Sequence, residues 1–174
     1  LRLDTNCDGI DGQLSRAILA RVSGNDEGRG DANSPVSTLR RAIELALESG
    51  LDQIYLETGN YTVPTELTVN GQIRPFSWPD GLSVHGGFAA TNAGNGTLSW
   101  SRPASPQAPT ILYVRYDGLT IADLSRPTTF ESVSIRTVSS DIDDASSTIA
   151  MVVRNVDRHL SLQDVEIRAT DGLA

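Results

Sequence analysis

Two blocks of this chain repeat at one offset. "LTIADL" at Leu119 to Leu124 superposes on "MVVRNV" at Met151 to Val156, and "FESVSIRT" at Phe130 to Thr137 superposes on "LQDVEIRA" at Leu162 to Ala169. Both shifts are 32 residues, and a period in that range marks a solenoid or a related array. Phe130/Leu162, Val133/Val165 and Ile135/Ile167 are expected to stack inward, layer on layer, with Ser134/Glu166 and Arg136/Arg168 pointing outward.

The hydropathy period inside these blocks is two, which excludes a helical repeat. Short β-type runs fill the chain from Gln53 onward: "QIYLETGNYTV", "ELTV", "GLSVHGGF", "TILYV", "GLTIADL", "TTFESVSIRT", "STIAMVVRNV" and "LSLQDVEIRA". Glycine, proline, asparagine and aspartate separate them. The expected fold is mainly β, a right-handed parallel β-helix with coils over about 53–169. An antiparallel sandwich of the same strands is the structural alternative.

One helix precedes the strands. In "SPVSTLRRAIELALESG" the apolar residues Leu39, Ala42, Ile43, Ala46 and Leu47 fall on one helical face. The spacing predicts a helix over about 37–49, capped by Ser37 at its start and ended by Gly50. Such a helix is placed to plug the N-terminal end of a solenoid, with Leu39, Ile43 and Leu47 facing the first coil. No comparable cap follows Ala169, so a continuation of the protein or another chain is expected to cover that end.

Composition narrows the function. The 174 residues suit one domain with a core. The net charge is −8, and all fourteen basic residues are arginine. An acidic surface repels phosphate backbones, so nucleic acid is not an expected partner. The lack of lysine removes a common catalytic base and the Schiff-base nucleophile. No apolar run approaches the roughly eighteen residues of a membrane span, and no signal peptide is present, so the chain reads as mature or as a fragment.

Taken together, "ARVSGNDEGRGDANSPVSTLRRAIELALESGLDQIYLETGNYT", "DGLSVHGGFAA", "SWSRP" and "APTIL" resemble the N-terminal part of secreted bacterial pectin-lyase-like β-helix surface proteins, over about Ala20 to Ala174. The resemblance implies an exported protein at the cell surface, on the outside of a Gram-negative bacterium, with a structural or adhesive role. A polysaccharide or another surface protein is the partner it suggests. Residues 1–19 form an Asp/Cys-rich tail and 20–174 the capped segment.

Within that tail, "DTNCDGIDG" places Asp4, Asn6 and Asp8 at the 1, 3, 5 spacing that brings three hard oxygens to one calcium ion, with Gly9 for the turn. Ser15 stands where an EF-hand has its bidentate glutamate, so Asp11 completes a shorter loop or the ion is held weakly. The stretch also resembles the last unit of Asp/Cys repeats that precede such β-helices. That resemblance implies a disulfide from Cys7 to an upstream or second polypeptide; a buried free thiol is the alternative.

Catalytic signals are sparse. "SSDIDDASS" gathers Asp141, Asp143 and Asp144, an acidic loop that is either solvated or a weak cation or water-activating site. His85 with the Asp143/Asp144 pair superficially suits a glycosidase, and Arg136 or Arg168 a lyase base, but the Asn-x-Asp and Arg-x-Lys elements of polygalacturonases are missing. No catalytic residue is therefore assigned. A carbohydrate-active enzyme and a subunit of an extracellular assembly stand as alternatives to the structural role. Arg29-Gly30-Asp31 matches the integrin tripeptide, a short motif that chance supplies easily. Trp78 and Trp100 are expected to pack over coil edges, with stacking on a sugar ring as the alternative for an exposed one.

Overall fold

The computed structural model describes residues 14–69, 71–94, 96–103, 108–138 and 148–169. The calcium-type loop with Asp4, Asn6, Cys7, Asp8 and Asp11, and the acidic loop with Asp141, Asp143 and Asp144, lie outside the described residues.

The protein is mainly β with parallel sheets. In chain order the strands are β1 (Ala17–Ala20), β2 (Gln53–Glu57), β3 (Gly59–Thr62), β4 (Glu66–Val69), β5 (Gln72–Pro75), β6 (Ser83–Asn92), β7 (Leu98–Ser101), β8 (Thr110–Val114), β9 (Leu119–Ala122), β10 (Thr128–Glu131), β11 (Val133–Thr137), β12 (Met151–Arg154), β13 (Leu160–Gln163) and β14 (Glu166–Arg168). One helix, α1 (Leu39–Ser49), lies between β1 and β2.

Two sheets are parallel stacks. The first runs β1-β2-β6-β10-β13 and the second β3-β8-β11-β14, while β9 and β12 form a third parallel pair. The 32-residue offset reappears as strand register in all three: Phe130 faces Leu162, Ile135 faces Ile167, and Ile121 faces Val153. Two antiparallel hairpins leave this pattern, β4 with β5 and the far half of β6 with β7.

Because side chains alternate along a strand, parallel register turns single positions into columns. Ile18, Ile54, Val84, Phe130 and Leu162 make one, and Tyr61, Leu112, Ile135 and Ile167 another. All of these are buried except the last of each column, where Leu162 and Ile167 are 44% and 45% exposed. The expected pairs Phe130/Leu162 and Ile135/Ile167 are thus in register, but the last described layer is uncovered on one side by any described residue.

The corners between strands also repeat. Ser132 and Asp164 adopt left-handed φ of 50° and 53°, and Asp123 and Asn155 adopt 55° and 49°. Non-glycine residues resist this conformation. Cross-layer bonds hold them there: Ser132 donates to Asp164 at 3.1 Å, and the Asn155 amide donates to Asp123 at 2.8 Å.

Three sequence expectations need correction. The helix starts at Leu39 with Thr38 as its cap, because Thr38 Oγ1 accepts the Arg41 N–H at 3.1 Å; Ser37 instead donates to Asp26. Leu47 is 40% exposed, and Leu45 packs on the core in its place, since α1 turns Leu39, Ala42, Ile43 and Ala46 inward. Ser134 points outward but is buried, covered by the Glu166 and Arg136 side chains that it bonds. Gly50, with φ of 66°, ends α1 as expected, and α1 packs on β1 to β4.

Candidate functional site

The outward column of the first sheet carries the molecule's one histidine–carboxylate pair among the described residues. With Ile54, Val84 and Phe130 turned into the core, alternation forces Tyr55, His85 and Glu131 onto the opposite face, side by side on β2, β6 and β10. His85 Nδ1 lies 2.7 Å from Glu131 Oε2. From the segment after β7, Arg102 Nη1 reaches the same oxygen at 2.9 Å.

Aromatic rings frame the pair. Tyr55 stacks on Phe88 at 4.8 Å, meets His85 edge-on at 5.5 Å, and donates its hydroxyl to Gln53 at 2.8 Å. Arg102 lies over the Phe88 ring at 5.3 Å, a cation–π contact. The β6–β7 hairpin folds across this face, burying Trp100 with Leu19, Tyr55 and Phe88 in a second small core. Trp100 Nε1 donates to Ala32 at 2.9 Å, and the Leu98 N–H to Asn33 at 3.0 Å.

A carboxylate fixed against an imidazole is a proton-handling pair when a substrate can reach it. Here the side chains of His85, Glu131 and Arg102 are only 18%, 9% and 15% exposed. They sit under the hairpin as an enclosed network. The "HGG" that holds His85 is itself a packing device: a Cβ on Gly86 would lie 2.4 Å from the Ser132 carbonyl oxygen, so only glycine lets β6 approach the corner of the next layer.

A separate cleft of about 610 Å³ opens at the corner between the two main sheets, bordered by Thr110, Ser132, Ser134, Leu162, Asp164 and Glu166. Its carboxylates are already bonded. Glu166 accepts from Ser134 at 2.8 Å, from Arg136 at 3.1 Å and from Arg168 at 2.7 Å, and those hydrogen bonds hold its carboxyl below the usual range. Arg136 and Arg168 thus form a ladder on Glu166.

Two aspartates tie distant segments. Asp26 accepts the N–H and hydroxyl of Ser37 and the N–H and hydroxyl of Thr38, all within 2.9 Å. Burial pushes its carboxyl up, but these bonds outweigh it and leave it below the ordinary value. Asp80 does the same for Ser125 and Arg126; burial raises its pKa, and the Ser125 and Arg126 bonds bring it down to about 2.

His85 is brought to Glu131 and Arg102, two residues that no local motif had marked. Trp78 and Trp100 are buried, with Trp78 against Phe130 at 4.6 Å. Arg29 and Asp31 pair with each other at 2.8 Å, and Asp31 also accepts the Asn33 and Ser34 N–H groups, so the tripeptide is folded into its own turn. Among the described residues no group of three or more His, Cys, Asp or Glu could hold a metal, and no helix is long and apolar enough to cross a membrane. No family model, no curated protein and no solved structure matches this chain.

Proposed function

We propose that this chain is a segment of a right-handed parallel β-helix of the pectin-lyase-like kind, serving as a non-catalytic structural or adhesive part of an exported bacterial surface protein. The observation that carries the reading is where the polar groups are used. Asn155 bonds Asp123, Ser132 bonds Asp164 and Ser134 bonds Glu166, each across one 32-residue layer. Outward side chains that an enzyme would aim at substrate are here committed to the neighbouring layer. The enclosed His85–Glu131–Arg102 network supports the same view.

The test has two arms. Intact cells producing the whole protein are stained with an antibody raised against the purified chain, and the expected result is staining without permeabilisation. Staining only after permeabilisation overturns the exported reading. The purified chain is also incubated with polygalacturonate and a panel of neutral and acidic glycans. Turnover that disappears in E131Q or E166Q would establish the carbohydrate-active alternative instead.

A further inference from the structure

A groove of about 480 Å³ runs between the start of α1 and the outer edge of β3, lined by Arg40, Asn60, Thr62, Thr65 and Arg115, with Asp26 in its wall. Eight other arginines of the described residues lie within ion-pair distance of a carboxylate. Five of the described arginines, Arg40, Arg74, Arg115, Arg154 and Arg158, have no such pair among the described residues, and two of them, Arg40 and Arg115, border this one groove. Two guanidiniums without a carboxylate partner among the described residues thus meet on one groove, in a chain whose net charge is −8.

The local field favours an anion. Arg40 stands in the first turn of α1, where the helix dipole adds positive potential. Arg115 is steadied by Tyr116, its guanidinium 5.1 Å from the ring centre. Asp26 opposes them, but its oxygens are filled by the four donors of Ser37 and Thr38. The two guanidiniums therefore outnumber the one carboxylate lining the groove. Planar, forked guanidiniums bind carboxylate, sulfate and phosphate groups through paired hydrogen bonds.

We propose that this groove binds an oxyanion-bearing ligand, its charged group taken by Arg40 and Arg115 and its neutral polar groups by Asn60, Thr62 and Thr65. The volume suits a small molecule or the terminal group of a larger one. This site is independent of the structural reading of the outer ladders.

The test is calorimetric titration of the purified chain at low ionic strength with citrate, inorganic sulfate and inorganic phosphate, repeated for R40Q, R115Q and the double variant. Binding by at least one anion is expected, weakened about tenfold or more by each substitution and lost in the double variant, as removal of a charged hydrogen bond predicts. Preference for citrate assigns a carboxylate ligand, and preference for sulfate or phosphate assigns those esters. No binding by all three, or binding that ignores both substitutions, overturns the proposal. Both arginines are exposed, so unchanged melting temperatures will show that the variants are folded.

Discussion

His85 and Glu131 stand 46 residues apart in sequence and 2.7 Å apart in space, on adjacent parallel strands. Replacing Glu131 by alanine leaves Arg102 facing an emptied, nearly enclosed position. Losing one member of a buried charge pair costs about 3 to 5 kcal/mol. E131A should therefore lower unfolding free energy by about that much in urea denaturation, with a changed near-ultraviolet dichroism from the Tyr55 and Phe88 stack. A loss below about 1 kcal/mol would show that the network does not hold the hairpin.

Asp26 anchors the start of α1 through Ser37 and Thr38. D26A should cost about 1 to 2 kcal/mol, the range of a lost helix cap with its hydrogen bonds. The effect should appear as earlier thermal unfolding of the helical dichroism signal.

The acid limb of stability follows from the same groups. Asp26, Asp31, Asp80 and Glu166 are all held below their ordinary values in the folded chain. A carboxyl depressed by folding contributes stability above its unfolded pKa of about 4 and loses it as pH falls through the folded pKa. The melting temperature should hold between neutrality and about pH 5, then fall progressively toward pH 2 as Asp80 protonates. In D80N the fall over that interval should be shallower.

Core position on α1 can be read by alanine substitution. I43A should cost about 2 to 5 kcal/mol because Ile43 is fully buried, whereas L47A should stay within about 1 kcal/mol. Equal losses would mean that α1 turns a different face to the sheets.

The calcium-type loop at Asp4, Asn6, Asp8 and Asp11 gives a prediction of its own. Selective binding to the folded chain must raise its melting temperature. Calcium titration should therefore shift the transition upward in the parent and not in a D4N/D8N variant, and no shift in the parent would overturn calcium binding by this loop.

Elements that repeat or carry strong periodicity were legible in the sequence: the 32-residue register, the strands from Gln53 on, and α1 with its Gly50 stop. β1 was missed because all four of its residues are buried, so it shows no polar alternation. β5 and β7 were missed as second arms of hairpins whose residues, such as exposed Ile73 and buried Trp100, lack a clean period. Thr38 rather than Ser37 caps α1 because the helix begins at Leu39, which leaves Thr38 extended with its Oγ1 facing the Arg41 N–H, while Asp26 accepts from both hydroxyls. Within the site, His85 stood out, but Glu131 and Arg102 did not. They meet it only through strand register and a hairpin return, neither of which leaves a local spacing. Once β6 and β10 are paired, "VH" and "FE" show the same inward apolar, outward polar order.

The layer-by-layer register has a mechanical side. Phe130 and Leu162, 32 residues apart in the chain, lie on paired strands about 4.8 Å apart, yet the residues between them pulled straight would span roughly 100 Å. Tension applied along the stack would therefore meet a short, stiff body whose failure, one layer at a time, pays out about twenty times the length each layer occupied.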